Sequence, residues 1–389
     1  MNRFLLAIAL LTLMACDNKT KTTVSDSLNG MKPSALDVGK KICSQFLNSV
    51  PESYAPVGYD GLTPSGEGQN VMYAVVSLWL NALKFAENSG NETLTKDLMD
   101  MFEPFYGPKK SLQSVGNHVD YSVFGSIPLK IAEINGDQRA RKLGLRYADH
   151  QWETPDPESL GGNGNADYET QCSYLERGLS PQSRFWIEDM YMMTTLQNGA
   201  YTLTRDKKYL ERMAEEMVLY LDILQKDTGL FYHAEDAPFY WGRGNGWAAG
   251  GMADMLSVLP SSHKCHAPIA AHYKRMMESL LEHQHESGLW GQLIDGEAWD
   301  ESSCSAMFTY SMIRGLKLSI LDGERFVPAV EKAWNALCSR IDSYGNVGGT
   351  GAGINTGTTR EFYLACPKVN GAPHGQAAML WCCAALCEE

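Results

Sequence analysis

The chain alternates between two kinds of helical apolar pattern, and this alternation constrains the fold more than any other feature of its 389 residues. In one kind the apolar residues cover every face, and in the other they form one stripe opposite charged residues. A helix that is apolar all round belongs inside a protein, whereas a one-faced helix lies at its surface. Segments of the first kind begin near residues 69, 119, 185, 243, 303 and 374, and those of the second kind near residues 36, 92, 137, 206, 264 and 326.

This spacing predicts an all-α fold. Six inner and six outer helices that alternate along one chain form an (α/α)6 barrel. Turn and capping residues precede the outer helices, as in NGD at 135–137 and DGE at 322–324. We expect one barrel domain over residues 35–389, with the longer loops and a pocket at the end where the inner helices begin.

The N-terminus carries a processing signal. The first residues read MNRFLLAIALLTLMAC, which is a short positive start, an apolar run and then a cysteine. This pattern predicts a lipoprotein signal peptide over residues 1–15, a lipidated Cys16 and a flexible tether over residues 16–34. An ordinary cleaved signal peptide is the alternative. We therefore expect a cell-envelope lipoprotein, facing the periplasm or on the outer-membrane surface, that touches the membrane only through its lipid anchor.

Charge and cysteine content exclude several classes of protein. The chain has 46 acidic and 33 basic residues and no basic run, so nucleic acid is not an expected partner. The nine cysteines beyond Cys16 include no CxxC pair, which argues against a zinc or thioredoxin-like site. Most of them should be buried small side chains. We expect no metal site, because five of the histidines (263, 266, 272, 283 and 285) fall on or beside an outer helix.

The stretch FWIEDMYMM at 185–193 places Glu188 beside Asp189 in an apolar segment that opens the third inner helix. A buried carboxylate needs a partner or a raised pKa. Successive helical residues point about 100° apart, so at most one of the two can face a ligand directly. The other can pair with a base or line the pocket. A capping role in the first helical turn is the alternative for both.

The stretch FYWGRGNGWAAGG at 239–251 opens the fourth inner helix. Trp241 and Trp247 offer flat faces for a sugar ring, and Arg243 offers a planar fork for a carboxylate. Glycines let the backbone approach a ligand and expose N–H groups at a helix start. No strand precedes the stretch and no Lys-Ser/Thr ending follows it, so it is neither a P-loop nor a dinucleotide fingerprint.

Two further polar residues stand near the same predicted end of the barrel. Asp120, in NHVDYSVFG, opens the second inner helix, where an N-cap role is the alternative. His233, in GLFYHAED, precedes the Trp/Arg stretch, and its position there favours a role in the pocket over that of a bystander.

The stretches WIEDMYM, GLFYH, WGRGNGW, GLWGQLID and SCSAMF occur in this order. Together they resemble the unsaturated glycuronyl hydrolases of glycoside hydrolase family 105 and the related family 88, over most of the chain after residue 35. The resemblance implies an (α/α)6 barrel. It also implies an enzyme that removes a 4,5-unsaturated uronic acid from the non-reducing end of oligosaccharides left by polysaccharide lyases. No metal or organic cofactor is implied.

The resemblance also implies a mechanism. An aspartic acid protonates C4 of the enol ether, water adds at C5, and the hemiketal opens and expels the rest of the chain. The family's aspartate stands four residues before the Met of a (Y/F)M pair, and Glu188 occupies that place here, with Asp189 next to it. Either residue is a candidate acid, and an apolar helix is expected to raise its pKa.

Other positions match the family as well. Asp120 matches the second acidic residue, which handles the proton or the water. Substrate-binding positions are matched by His233, Trp241, Arg243 and Trp247, and weaker pocket candidates are Asn245, Gln292 and Glu301.

Three alternatives stay open. An epimerase on the same barrel would need paired histidines in the pocket, and a polysaccharide lyase would need a tyrosine or lysine base. A non-catalytic sugar-binding lipoprotein would explain the glutamate at position 188. The expected partner is an unsaturated oligosaccharide, and a monomer is the expected state.

Overall fold

The computed structural model describes residues 24–49, 71–114, 116–158 and 164–388. The predicted signal peptide and Cys16 lie outside the described residues. Residues 24–34, which the sequence assigns to a flexible tether, pack on the barrel: Leu28 and Met31 are buried, and the Trp334 indole donates to the Pro33 carbonyl at 2.9 Å.

A first helix covers residues 24–29, and the helices that follow it alternate as predicted. In chain order they are α1 (Ala35–Asn48), α2 (Tyr73–Asn88), α3 (Glu92–Asp100), α4 (Val119–Ser122), α5 (Ser126–Asn135), α6 (Gln138–His150), α7 (Tyr168–Glu176), α8 (Asp189–Thr204), α9 (Lys207–Leu224), α10 (Gly242–Val258), α11 (His266–Glu282), α12 (Ser302–Lys317), α13 (Gly323–Cys338), α14 (Arg360–Leu364) and α15 (Pro373–Cys387). Short 3₁₀ turns occupy Glu103–Tyr106, Lys110–Leu112 and Val123–Gly125.

The inner helices form a closed ring. In the order α2, α5, α8, α10, α12 and α15, each packs on the next, and α15 packs back on α2. The outer helices α1, α3, α6, α9, α11 and α13 each cover an inner neighbour. The (α/α)6 barrel predicted from the alternation is therefore confirmed.

Two small hairpins lie at one end of the ring. Strand β1 (Trp290–Gly291) pairs antiparallel with β2 (Asp300–Glu301), and β3 (Thr350–Gly351) pairs antiparallel with β4 (Lys368–Val369). Both hairpins lie in connections that run from an outer helix to the next inner helix, so they form part of the loop-rich end.

The centre of the ring is filled by aromatic side chains. Tyr191 stacks on Trp381 with ring centroids 4.5 Å apart, and Trp247 lies 4.8 Å from Tyr191. Fully burying one such side chain contributes roughly 1.5–3 kcal/mol. Helices α8 and α10 approach closely at Gly251, where an added Cβ would lie 2.6 Å from the Met190 carbonyl oxygen.

The third inner helix begins later than the sequence predicts, at Asp189 rather than near residue 185. Residues 185–188 form part of a loop instead. Phe185 takes a φ of 54°, Trp186 bridges to Ala234, and the Ile187 N–H donates to the His233 carbonyl at 3.0 Å. Pairing with a neighbouring loop thus replaces the first helical turn, and it brings Glu188 close to His233.

The structure also shows how the cysteines are buried and whether any helix could span a membrane. The nine cysteines among the described residues form no disulfide, and six of them are buried, in agreement with their predicted role as small core side chains. Over the described ranges, no helix combines the length and the apolar character that crossing a membrane requires.

Candidate active site

The predicted site residues gather at the end of the barrel where the inner helices begin. Asp189, Gly242, Ser302 and Pro373 each start an inner helix there. The long connections 225–241, 283–301 and 339–372 cross this end, so the loops collect where the sequence predicts them.

Glu188 forms a hydrogen bond with His233. Its Oε1 lies 3.3 Å from His233 Nε2, and the imidazole is fully buried. The glutamate is 7% exposed, and its Oε2 has no hydrogen-bond partner among the described residues. One carboxylate oxygen is therefore held by His233, and the other is buried without a hydrogen bond to the described residues.

Tyr363 holds the other side of the imidazole. Its hydroxyl lies 2.8 Å from His233 Nδ1 and accepts from the Gly357 N–H at 3.1 Å. Burial raises the pKa of Tyr363 to about 12, so the hydroxyl remains a donor at neutral pH. A hydroxyl that donates to Nδ1 leaves the imidazole proton on Nε2, facing Glu188. Sequence reasoning missed Tyr363, which lies in the short helix α14 without any distinguishing pattern.

The pKa of Glu188 is shifted in the opposite direction to the one expected from the sequence. Burial raises its pKa, but the His233 imidazole and the Arg184 guanidinium outweigh that effect, and the pKa lies below the ordinary value of a glutamate. The expectation that an apolar helix raises the pKa of the candidate acid is wrong for Glu188, because the imidazole and guanidinium come from outside that helix.

Asp189 is enclosed by protein. It is fully buried, accepts from the Arg184 backbone N–H at 2.9 Å and from Tyr220 at 2.8 Å, and pairs with the Arg184 side chain at 2.6 Å. Burial raises the pKa of Asp189, although Arg184 acts in the opposite direction. Both of its oxygens accept hydrogen bonds, so of the two adjacent carboxylates only Glu188 has an oxygen without a partner among the described residues.

Arg184 links Asp189 to Asp120. The two Nη atoms donate to the Asp120 oxygens at 3.3 Å, and the guanidinium stacks over the Trp186 ring at 4.8 Å. The Asp120 side chain is 23% exposed, so it remains open to the pocket. Its N-cap alternative is wrong, because His118 caps α4 and accepts from the Asp120 N–H at 3.1 Å. Sequence reasoning did not single out Arg184.

A buried glutamate fixes the turn that delivers Arg184. Glu216, on outer helix α9, accepts from the Ser180 N–H at 2.8 Å and from the Ser183 hydroxyl. Burial raises the pKa of Glu216 to about 8. A protonated Glu216 can keep these bonds without a buried charge, and the turn then holds the guanidinium between the two aspartates.

Arg243 does not present its fork to the pocket. Its Nη1 donates to the Gly351 carbonyl at 2.8 Å, its Nη2 donates to the Ala352 carbonyl, and Nη1 lies 3.7 Å from Glu301. Its predicted carboxylate-binding role is contradicted, because backbone carbonyls at the β3 hairpin occupy the planar donors. Only Nε has no partner among the described residues.

The two tryptophans are buried as well. Trp241 is 1% exposed and lies beside His233 with ring centroids 4.5 Å apart, and Trp247 is fully buried in the aromatic centre of the ring. Neither ring offers a free face for a sugar in this structure, which corrects that expectation. Trp241 instead packs against the His233 ring and supports it.

The weaker pocket candidates are mostly structural. Asn245 accepts from the Phe231 N–H at 2.9 Å and donates to the Phe231 carbonyl at 2.9 Å, so it fastens the loop before His233. Glu301 caps α12 by accepting from the Cys304 N–H at 2.6 Å. Gln292 donates to the Tyr363 carbonyl at 3.2 Å, and its Oε1 has no partner among the described residues.

Tyr73 and His374 were not predicted, and they form a pair close to Asp120 and Glu188. The Tyr73 hydroxyl lies 2.9 Å from His374 Nε2. Burial raises the pKa of Tyr73, and the carboxylates of Asp120 and Glu188 add to this effect. The tyrosine is therefore close enough to interact electrostatically with both carboxylates.

Over the described residues, no group of three or more His, Cys, Asp or Glu side chains is arranged to hold a metal ion.

The pocket is thus an acidic site with paired and unpaired members. Unsatisfied buried polar atoms call for a ligand or water, and here Glu188 Oε2, the Trp241 indole N–H and Gln292 Oε1 have no partner among the described residues. The arrangement can transfer a proton from a carboxyl group to a bound molecule.

Comparisons with known proteins identify chains that this one resembles. One relative is an unsaturated 3S-rhamnoglycuronyl hydrolase of Formosa agariphila, 30% identical over 42% of this chain and 48% of its own. Another is an unsaturated rhamnogalacturonyl hydrolase of Bacillus subtilis, 27% identical over 49% of this chain and 57% of its own. The chain thus spans about half the length of the curated relatives it matches.

A solved structure matches the whole barrel. The crystal structure of a possible member of the GH105 family from Salmonella enterica superposes with a TM-score of 0.73 at 18% identity, covering 91% of this chain and 93% of that one. At this identity the likeness establishes the fold alone. The family model described as Glycosyl Hydrolase Family 88 matches residues 66–388. Since this match takes in most of the chain, the protein belongs to glycosyl hydrolase family 88.

Proposed function

We propose that the protein removes a 4,5-unsaturated uronic acid from the non-reducing end of lyase-generated oligosaccharides. The observation that carries the proposal is the Glu188 carboxylate, which His233 holds by one oxygen while the other has no partner among the described residues. Family membership and the activities named for the two curated relatives support the same reaction.

Glu188 is the proposed acid. It gives a proton to C4 of the enol ether, and the positive charge that develops at C5 is shared with the ring oxygen. Water then adds at C5 and releases a proton, which a carboxylate accepts. The C5 hemiketal opens to a ketone, and the hemiacetal left at C1 expels the remaining saccharide. One water molecule is consumed for each linkage that is broken.

The low pKa of free Glu188 fits this role if the substrate itself loads the proton. An incoming uronate carries a negative charge, and a like charge close to a carboxylate raises its pKa. Desolvation by the bound sugar acts in the same direction. Protonation of Glu188 is then coupled to substrate binding, and His233, with its proton on Nε2, keeps the carboxyl in place.

Asp120 is the proposed second carboxylate. It is partly exposed, and Arg184 holds both of its oxygens at 3.3 Å. A carboxylate fixed in this way can orient a water by accepting a hydrogen bond from it. Asp189 supports it indirectly, because it fixes the guanidinium from the opposite side.

The names of the relatives suggest where to look for the substrate. Both names combine rhamnose with an unsaturated uronyl group. We therefore propose rhamnose-linked unsaturated uronates as the first substrates to examine.

The test is the loss of ultraviolet absorbance by the conjugated double bond in a panel of unsaturated oligosaccharides. Wild type should consume the absorbance and release a free saccharide in equal amount. Glu188→Gln should do neither, while still binding the oligosaccharide. If wild type binds the panel but never consumes absorbance, the protein is a sugar-binding lipoprotein instead. If products gain absorbance, it is a lyase.

We further propose that the chain is anchored to the cell envelope through a lipid on Cys16. The support is the sequence MNRFLLAIALLTLMAC alone. The full chain expressed in a bacterium with an outer membrane should incorporate labelled fatty acid, and Cys16→Ser should not. Labelling that persists in Cys16→Ser would contradict the anchor.

A further inference from the structure

A second cavity lies at the opposite end of the barrel. It measures about 240 Å³, and each of the six inner helices contributes to its wall. Along α10 it is lined by Asp254, Ser257 and Val258, whereas Gly242 at the other end of the same helix belongs to the candidate active site. From Gly242 to Asp254 the helix rises about 18 Å. The two pockets are therefore separate.

Polar residues line this cavity at helical spacing. Helix α2 contributes Asn81, Lys84 and Asn88, and α8 contributes Asn198 and Thr202. Residues three, four and seven positions apart lie on one face of a helix. Asn81 donates to the Ser77 carbonyl at 2.8 Å and Asn88 donates to the Ala384 carbonyl at 2.9 Å, whereas Lys84 and Thr202 are only partly buried.

Asn198 is the most informative of these residues. It is 8% exposed, and its Nδ2 donates to the Asp254 carbonyl at 3.1 Å, which fixes the amide. Its Oδ1 lacks a hydrogen-bond partner among the described residues. Ser126, which is 3% exposed and lines the same cavity, also has an unpartnered hydroxyl in this part of the chain. These buried atoms point to a ligand that offers hydroxyl groups.

The charges around the cavity nearly cancel. Arg314 pairs with Glu388, Lys130 pairs with Glu133 at 3.0 Å, and Tyr310 donates to Asp254. Lys84 has no ion pair within the described ranges. The inner helices end here, and helix C-termini disfavour anions. Three basic side chains (Lys84, Lys130 and Arg314) and three acidic ones (Glu133, Asp254 and Glu388) line the cavity, so their formal charges cancel and favour neither an anion nor a cation.

We propose that this cavity binds a small neutral polyhydroxyl molecule of monosaccharide size. Sugar hydroxyls can donate to Asn198 Oδ1 and to Asp254 and accept from Lys84, so one ligand satisfies groups of both kinds. The volume equals that of about eight water molecules, which leaves room for one sugar ring. This site does not depend on the activity proposed for the other end of the barrel.

The test is calorimetric titration of the full chain with L-rhamnose, D-galactose, D-glucose and D-glucuronate. At least one neutral sugar should bind with a millimolar or tighter Kd, and glucuronate should bind about tenfold more weakly. Asn198→Leu should weaken the neutral sugar about tenfold, because it removes the buried acceptor. Glu188→Gln is the matched control at the other pocket, and it should bind the neutral sugar as wild type does.

Lys84→Met provides a second arm if Asn198→Leu fails to fold, since Lys84 is only partly buried and should tolerate replacement. It should weaken the neutral sugar severalfold. The proposal is overturned if no neutral sugar binds at millimolar concentration, if glucuronate binds as well as the neutral sugars, or if folded Asn198→Leu or Lys84→Met binds with wild-type affinity. Loss of binding in Glu188→Gln would also overturn it, by placing the sugar in the candidate active site.

Discussion

The two ends of this barrel are built from the same helices but offer different chemistry. At the end where the inner helices begin, long connections bring together Glu188, His233 and Asp120 from separate parts of the chain. At the opposite end short turns join inner to outer helices, such as the turn through Gly136 between α5 and α6. Polar groups there come from the helix faces themselves.

This contrast shows that the direction of the inner helices by itself influences which ligand charge each end of the barrel favours. Helix N-termini favour negative charge, and helix C-termini disfavour it. The loop-rich end is therefore suited to an acidic sugar. Its own carboxylates are stabilised there by the positive charge of Arg184. The opposite end suits a neutral ligand. The following predictions test this division, beginning with the largest expected effect.

Glu188→Gln should reduce kcat on an unsaturated oligosaccharide about 10³-fold, because removal of a general acid typically costs between 10² and 10⁴. The rate is followed by absorbance of the double bond. Glu188→Asp, which restores the residue that the family resemblance implies at this position, is the control and should retain more activity than Glu188→Gln. Wild-type rates in Glu188→Gln would remove Glu188 from the chemistry.

Asp189→Asn should lower the free energy of unfolding by about 3 kcal/mol, because it breaks a buried ion pair and leaves Arg184 with less compensation. Urea denaturation measures this loss. Tyr220→Phe, which removes one neutral hydrogen bond to the same carboxylate, is a milder comparison and should cost about 1 kcal/mol. Unchanged stability in Asp189→Asn would mean that Asp189 is not the structural partner described above.

Glu216→Gln should stabilise the protein at mildly alkaline pH. The pKa of Glu216 rises from 4.5 to about 8 in the folded state, so its contribution is fully present below pH 4.5 and is lost as the pH approaches 8. The amide cannot ionise, so the variant should gain at least about 1.4 kcal/mol over wild type at that pH. Denaturation at acidic and alkaline pH measures the difference, and a pH-independent difference would contradict the raised pKa.

Tyr363→Phe should lower kcat by up to about tenfold, since the loss of one orienting hydrogen bond leaves the His233 tautomer less well defined. KM should change little, because the hydroxyl faces the imidazole rather than the ligand. Phe362→Leu, at the exposed neighbouring position, is the control. A rise in KM with unchanged kcat would indicate that Tyr363 contacts the substrate instead.

Asn198→Leu should leave kcat and KM for the unsaturated substrate within about twofold of wild type, because distant sites without shared partners act independently. Steady-state kinetics measure this smallest effect. A large fall in kcat with unaltered stability would show that the two ends of the barrel are coupled.

Much of the fold was predictable, because alternating all-apolar and one-faced helices have few other ways to bury their surfaces. The site was less so. Residue type and family resemblance singled out Glu188, His233 and Asp120, and the structure places Glu188 beside His233 and Asp120 beside Arg184. The same reasoning misjudged Arg243, because nothing in its sequence neighbourhood reveals that carbonyls about 108 positions later accept its hydrogen bonds.

Long-range contacts explain the other misses. Arg184 acts between Asp120 and Asp189, and Tyr363 reaches His233 across 130 positions. No local pattern encodes such pairs. The pKa of Glu188 was misjudged for the same reason, since it depends on an imidazole that is 45 positions away.

The closed ring described above has a consequence for the order of events during synthesis. Helix α15 packs on α2, and Tyr73 meets His374 across 301 positions. The His233 imidazole likewise lacks its hydrogen-bond partner until Tyr363 has been synthesised. A nascent chain that has emerged only as far as α12 holds Glu188 but lacks the partner that orients its neighbour. Catalytic competence should therefore appear only after the last hairpin and helix leave the ribosome, which makes activity a readout of ring closure.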